Sequence, residues 1–400
     1  MPVSGCDGMI GGNCPVCNSK RLKVFFEMLN VPVFCNVLWK NRDAARNCPR
    51  GDIKLAFCPV CSYIMNLAFE PALVEYTQAY ESSLHFSPHF QEYARSLAER
   101  LVRRYNLYKK DIVSIGCGKG EFLSLLCELG NNRGMGLDPS YVEQEEHRAA
   151  NNHIKFVQDL YSERYADYPA DLIVCRQVLE HIYDPKNFLA MLRRIIGNRL
   201  NTQLFFEVPN ALQTFRRLST WDITYEHYSY FTPTSLRLIF SSSGFYVYEV
   251  SEEFEGQYLC VYAQPDSQSA SHRDYEPTGE VSRIERDVAS FTVSYKDKVE
   301  KYWLKLEQMK EKRQSAVVWG AGSKGVTFLN TFKGSGVEYA VDINPRKQGM
   351  YIAGTGQRIV PPEFLKDYKP DVIIMMNPVY KKEIQQLTKS LGLKPKLMNA

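Results

Sequence analysis

Three groups of residues in this sequence have types and spacings that can do chemistry. Cys14-Pro-Val-Cys17 and Cys58-Pro-Val-Cys61 are two CxxC pairs, the second repeating the first residue for residue. Four thiolates in two such knuckles suit tetrahedral Zn²⁺; with four cysteine ligands no coordination position stays open, so its role is structural. Cys6, Cys35 and Cys48 lie nearby, and buried or redox-active thiols are the competing reading. The second group is Gly116-Cys-Gly-Lys-Gly120, which ends a β-branched run and precedes an apolar helix beginning at Phe122. A strand that turns through glycines into a helix N-terminus sets bare backbone N–H groups against a ligand. The third is a stretch rich in aromatics and hydroxyls: Tyr76, Tyr80, Ser82, Ser83, His85 and His89. Such side chains line a polyol pocket or dress a linker, and the pattern leaves both open.

Periodicity gives the elements that must position these groups. Strands are expected over 111–116, 132–138, 154–159, 170–176 and 203–209, each a short apolar run ending in a glycine, an acid or a turn. Phe122, Leu125, Leu126 and Leu129 have helical spacing, with Gly130 as the stop. A helix follows around 188–196, and another ends near Ser243 and Gly244. A closing hairpin runs over 246–254 and 258–264 through Glu255-Gly-Gln257. The expected core is a seven-stranded α/β sheet with helices on both faces. Residues 265 to about 283 are polar and Pro/Ser/Gly-punctuated, as in a linker. Val288, Phe291, Tyr295, Val299, Tyr302, Leu306 and Met309 then recur at three- and four-residue steps, which predicts a long connecting helix packed on both neighbours. Residues 316–325 open a second strand–glycine–helix unit, in which Gly320, Gly322 and Gly325 fit GxGxxG and Lys324 stands ready for a phosphate. Asp342 ends the next strand, and 371–376 supply a further one.

Composition narrows the classes. A chain of 400 residues accommodates two or three domains at about 150 residues each. Its 49 basic and 45 acidic residues give a net charge of +4 without a basic tail, which argues against nucleic acid. No apolar run approaches the ~18–20 residues of a membrane span. No charged-then-apolar segment opens the chain, so a cytoplasmic, reducing location is expected for the 11 cysteines.

The GxGxG spacing, with Glu121 where a dinucleotide loop wants its third glycine, resembles motif I of class I S-adenosylmethionine (SAM) methyltransferases. In that pattern Gly116, Gly118 and Gly120 let the backbone approach the methionine part of the cofactor. Asp138 stands where a Rossmann-like sheet puts the carboxylate that accepts from ribose hydroxyls. The same pattern places Asp159 beside the adenine, and Gln177, just before Val-Leu-Glu-His, with the cofactor. Each aspartate alone is equally well explained as a strand end. Four such segments in order favour SAM.

The chain as a whole resembles the nucleotide-sugar C-methyltransferases that act on TDP-4-keto-deoxyhexoses. The resemblance rests on the doubled CxxC, on Gly116–Gly120, and on Glu226-His227 before Tyr-Ser-Tyr-Phe. It also rests on the C-terminal Gly-Ala-x-x-Lys-Gly and Val-Asp-x-Asn-Pro-x-Lys-Gln-Gly. It implies a zinc-binding domain over 1–75, a SAM domain over 76–265, a linker and helix over 266–313, and a C-terminal Rossmann-like domain over 314–400. It further implies His227 as general base and Tyr76, Tyr80 and His181 lining the sugar site; Glu226, next to that base, would favour its imidazolium, and Ser82 and Ser83 of the hydroxyl-rich stretch are expected at the same site. Tyr225 and Tyr228 would orient the sugar. The sequence departs from the family's Tyr-His-Glu-His in reading Thr224-Tyr225-Glu226-His227. A hydrogen beside a ketone is acidic enough for a positioned base once the enolate oxygen is stabilised. An O- or N-methyltransferase of another activated sugar or metabolite is the first alternative. An oxidoreductase using NAD(P) at the C-terminal glycine loop is the second. The expected partner is a small molecule, a nucleotide-sugar by resemblance, and the oligomeric state stays open.

Overall fold

The computed structural model describes residues 13–143, 153–267 and 279–400; Cys6 and much of the expected linker lie outside the described residues. Three sheets organise them. The first is antiparallel: β1 (Lys23–Pro32), β2 (Arg50–Phe57) and β3 (Ile64–Asn66), with the second CxxC knuckle between β2 and β3. The central sheet begins with five parallel strands: β4 (Asp111–Ile115), β5 (Arg133–Leu137), β6 (Ile154–Val157), β7 (Leu172–Arg176) and β8 (Gln203–Pro209). The short β9 (Ser229–Tyr230) then leaves this sheet and completes the first one, Tyr230 opposite Ile64 and Ser229 opposite Met65. β10 (Phe245–Glu253) and β11 (Tyr258–Pro265) return as an antiparallel hairpin, giving the order β10-β11-β8-β7-β4-β5-β6.

Strand alternation builds two cores from this one sheet. On β7, Leu172 and Val174 face the helices Pro88–Tyr105 and Glu121–Gly130, among Phe90, Leu97, Phe122 and Leu126. Ile173 and Cys175 face the other way, among Leu189 and Leu192 of helix Pro185–Ile196 and Leu236 and Phe240 of helix Pro233–Ser242. The third sheet is parallel throughout, in the order β14-β13-β12-β15-β16. Its strands are β12 (Ala316–Trp319), β13 (Tyr339–Val341), β14 (Arg358–Val360), β15 (Val372–Met375) and β16 (Lys396–Asn399).

Helix Gly279–Glu311 ties the parts together, as its two-sided pattern predicts. Phe291 packs 5.4 Å from Phe26 of β1 and 4.9 Å from Phe215, whereas Tyr302 meets Trp221, Phe328 and Phe332 at the C-terminal end. No helix among the described residues is long and apolar enough to cross a membrane. The expected seven-stranded core is present. The domain boundaries drawn from sequence are crossed by β9, which is part of the first sheet although it lies within the central segment.

Candidate active site and cysteine centre

The Gly116–Gly120 loop leaves β4 at the carboxyl end of the parallel strands, where open α/β sheets bind ligands. Gly116, Gly118 and Gly120 all take positive φ, at 65°, 58° and 93°, a region that glycine enters without steric cost. A side chain at Gly116 would strike Val178, whereas one at Gly118 would meet nothing within 4 Å. The loop therefore has a bare face at Gly118, where a ligand can lie on the backbone. Asp138 braces it: Oδ2 accepts from Gly118 N–H at 2.8 Å, and Oδ1 accepts from Ser140 N–H and Oγ–H at 2.7 Å each. The carboxylate expected to meet a ribose thus first of all shapes the loop. Gln177 follows β7 with φ of 55°, unusual for a residue with a side chain, and its Nε2 donates to Glu207 at 3.1 Å.

Beside this edge the structure gathers Tyr76, Tyr80, His181, Glu226 and His227. The imidazoles of His181 and His227 lie 4.9 Å apart, edge to face. Tyr76 Oη is 2.7 Å from His181 Nδ1, which is also 3.0 Å from the Glu226 carbonyl. Tyr76 and Tyr80 pack edge-on at 5.0 Å, both against Phe34. Residues 36–38 hold the 79–81 segment through backbone pairing, which fixes Tyr80 against Tyr76. Burial disfavours charge on both rings. It takes His181 down to about 4, and it takes His227 well below its usual value, with His181 and Lys324 adding to the effect. Burial likewise pushes Glu180 up to about 8 and Glu226 up to about 7. One carboxylate oxygen of each is buried without a hydrogen-bond partner. The pocket therefore presents neutral imidazoles and a protonated Tyr76, whose pKa burial also raises.

Several expected site residues are placed elsewhere. The Glu226 carboxylate braces the loop at Cys35, Oε2 accepting from Cys35 N–H at 3.1 Å. Tyr225 is fully buried in the first sheet's core, stacked 5.5 Å from Phe69 and accepting from Glu70 N–H. Tyr228 packs against Phe69 and Tyr183 in that same layer. Both turn away from the histidines because the chain is already heading into β9. Ser83 lies at the first glycine loop, donating to Glu121 at 2.8 Å, and Ser82 is exposed. Asp159 spends its carboxylate on Arg164, Tyr165 and the Leu160 N–H. Lys324 is ion-paired with Asp222 instead of standing free for a phosphate.

Sequence reasoning passed over Glu207. It is fully buried in β8, where it accepts from Arg176 Nη2 at 3.0 Å, from Gln177 and from Tyr93. Arg176 in turn lies 4.1 Å over the Phe122 ring, beneath the first glycine loop. The signal was available, since a lone acid in an apolar strand demands a buried partner. Asn36 and Lys347 were missed as well. Lys347 Nζ donates to Asn36 Oδ1 at 3.0 Å, and a side chain at Gly322 would lie within 4 Å of both groups. The second glycine loop is thus covered by the protein's own side chains.

The four cysteines converge. Cys14 Sγ is 3.5 Å from Cys61 Sγ, Cys17 Sγ is 3.5 Å from Cys58 Sγ, and all four sulfurs lie within 4.8 Å of one another. The knuckles repeat in backbone as well as sequence. Asn18 N–H returns to Cys14 O and Ser62 N–H to Cys58 O, with Asn18 and Ser62 both in the left-handed region.

A methyltransferase-domain family model matches residues 89–250, and a C-methyltransferase C-terminal domain model matches residues 259–393. No curated protein sequence matches the chain. Among solved structures, the chain is similar to magnesium protoporphyrin IX methyltransferase from Synechocystis PCC 6803 with bound SAH. The identity is 18%, covering 44% of this chain and 84% of that one, with a TM-score of 0.35. It is also similar to the 1,6-didemethyltoxoflavin-N1-methyltransferase from Burkholderia thailandensis, at 13% identity over 51% of this chain and 96% of that one, with a TM-score of 0.34.

Two outcomes are expected from this geometry. Gly118→Val, placing a side chain on the bare face, should abolish S-adenosylhomocysteine binding. Asp138→Ala should weaken it by roughly 1.5–3 kcal/mol through loss of charge-assisted hydrogen bonds. Calorimetry showing parental affinity in both would mean that this loop does not hold the cofactor. The second outcome concerns Glu180, which the folded chain keeps protonated up to about pH 8 and the unfolded chain releases near 4.5. Its contribution to stability is therefore lost as pH rises through that window. The melting temperature of Glu180→Gln should gain on the parent from about pH 5 to about pH 9. A difference independent of pH would show that the carboxyl is not held neutral.

Proposed function

We infer that this chain, a SAM-dependent C-methyltransferase by its two matched domains, methylates the carbon beside a ketone of a nucleotide-activated sugar. The observation that carries the reading is the pair of neutral imidazoles, His181 and His227, set under Tyr76 at the carboxyl edge of the sheet. SAM, when held at the first glycine loop, supplies the electrophilic methyl group. His227 takes the α-proton. Its burial keeps it unprotonated across neutral pH and also makes it a modest base, so the substrate must be acidified in place. Tyr76 does this by donating its hydroxyl hydrogen to the ketone oxygen, and His181 positions that hydroxyl through the 2.7 Å contact at Nδ1. Tyr80 and Phe34 close the pocket against water. A nucleotide-sugar acceptor is supported by the resemblance of the Glu226-His227 and C-terminal motifs.

The cysteine centre takes one Zn²⁺ as a structural ion. A tetrahedron with Zn–S of ~2.3 Å has edges of about 3.8 Å, close to the 3.5 Å contacts here. The same contacts are far too long for a disulfide, whose sulfurs sit ~2.05 Å apart.

His227→Gln should leave S-adenosylhomocysteine affinity unchanged and lower turnover about 10²–10⁴-fold. The acid limb of the parent's kcat/KM should fall below pH 6.5, the ordinary value for the ring, because burial lowers the pKa of His227. With a nucleotide-linked keto-sugar and labelled SAM, the product should show a new C–CH₃ resonance. An O- or N-methyl resonance, or a fully active His227→Gln enzyme, would refute the mechanism. Metal analysis of freshly purified, reduced protein should find one zinc per chain. Chelation should lower turnover while S-adenosylhomocysteine still binds; a metal-free, fully active chain would remove zinc from the picture.

A further inference from the structure

We propose that an open-mouthed cavity of about 550 Å³, lined by β1, β2, the long helix and helix Ser323–Thr331, binds a phosphorylated small molecule. Its volume falls in the range of small-molecule sites. It is lined by Arg46, Arg50, Lys333, Thr224, Cys35 and Thr327, among others, and by no residue of either glycine loop. The inference stands on this cavity alone and does not depend on the acceptor sugar argued above.

Charge is the first argument. Among the described residues no carboxylate pairs with Arg46, Arg50 or Lys333. The one acid in the wall, Glu27, is engaged by Lys54 at 3.1 Å. The two guanidiniums are held instead by neutral carbonyls. Arg50 donates to Asn30 O at 2.7 Å and to Gly354 O at 2.9 Å, and Arg46 Nε donates to Thr355 O at 3.4 Å. Carbonyls fix the direction of a guanidinium without neutralising it, so the wall keeps a net positive field. Planar, pre-oriented guanidiniums suit the oxygens of a phosphate.

An orphaned hydroxyl is the second. Thr224 is 2% exposed, and its Oγ1 has no hydrogen-bond partner. Its main chain is held in place, because the hydroxyl of Tyr230 accepts from its N–H and donates to its C=O, at 3.1 and 2.9 Å. A buried hydroxyl without a partner, in a wall that also carries three cations not neutralised by a carboxylate, points to an acceptor that the protein does not supply. Thr224 is also where the chain departs from the family's tyrosine. The inner wall is joined to the catalytic segment, since Cys35 lines the cavity and its N–H holds Glu226.

Calorimetry on the full chain, saturated with S-adenosylhomocysteine to block the cofactor loop, tests this with inorganic pyrophosphate and thymidine diphosphate. Pyrophosphate should bind, and the Arg46→Gln/Lys333→Gln double variant should weaken it about 10- to 100-fold, the scale of lost charge-assisted hydrogen bonds. Both residues are exposed at the rim, and retained S-adenosylhomocysteine binding verifies the fold. Thr224→Val should weaken the same probe without altering cofactor affinity. Thymidine diphosphate binding much tighter than pyrophosphate, and weakened in the double variant, would assign the cavity to a nucleotide; equal affinities, both weakened in that variant, would assign it to a free phosphate anion. Either result supports the site. Absence of binding at millimolar concentrations of both probes, or equal affinity in the double variant, would overturn it.

Discussion

Two residues of antiparallel pairing hold this molecule's chemistry in place. β9 lies against β3, Ser229 and Tyr230 opposite Met65 and Ile64, and the segment carrying Glu226 and His227 hangs directly before it. The anchor is reinforced from the second cysteine knuckle. Ser62, just past Cys61, shares a 2.8 Å hydrogen bond with Thr232, and the next residue, Tyr63, bonds Ser229. Tyr230 reaches back to clamp Thr224. In the proposed mechanism the imidazole of His227 has to meet a carbon acid, and an ångström of displacement would cost rate. Here its position is inherited, link by link, from the cysteine centre. The four-cysteine cluster is thereby tied through the backbone to the segment that carries His227.

The two glycine loops are built alike. In the first, Asp138 accepts from Gly118 N–H with one oxygen and from Ser140 N–H with the other. In the second, Asp342 accepts from Ala321 N–H at 2.9 Å and from Asn344 N–H at 2.9 Å. Both acids end the neighbouring parallel strand, and both spend themselves on holding the turn open. The loops differ in what faces them. Gly118 looks onto empty space, whereas Gly322 looks onto Asn36 and Lys347. The same backbone device thus leaves a bare face in one unit and carries a packed one in the other.

Much of this was legible in the sequence because it follows from local rules. Apolar runs ending in glycine or aspartate gave the parallel strands of the central sheet, and doubled CxxC spacing gave the sulfur cluster. What stayed hidden depends on direction. Tyr225, Glu226, His227 and Tyr228 are consecutive, yet only His227 turns its side chain to the other histidine; neighbours in a chain turning into a strand face different layers. β9 is two residues long and carries no periodicity to detect. β16, half-exposed Lys-Leu-Met-Asn at a sheet edge, lacks the continuous apolar run by which the buried β12 and β15 are recognised. Arg176 and Glu207 sit on separate strands, and only the folded sheet brings the guanidinium to the acid.

The covering of Gly322 by Asn36 bears on how divisible this protein is. Residues that sequence assigns to three consecutive modules are interleaved. Asn36, from the first, is hydrogen-bonded to Ser323 and Lys347 of the last, and Arg50 holds the Gly354 carbonyl. Severing the chain near residue 75 or 314 would not release independent pieces. It would uncover a polar socket at Gly322, strip β9 of its partner strand and leave Phe26, Phe291 and Tyr295 facing water. For all its three sheets, the polypeptide keeps the partners of each socket on the far side of a boundary, so the seams are part of its core rather than hinges between modules.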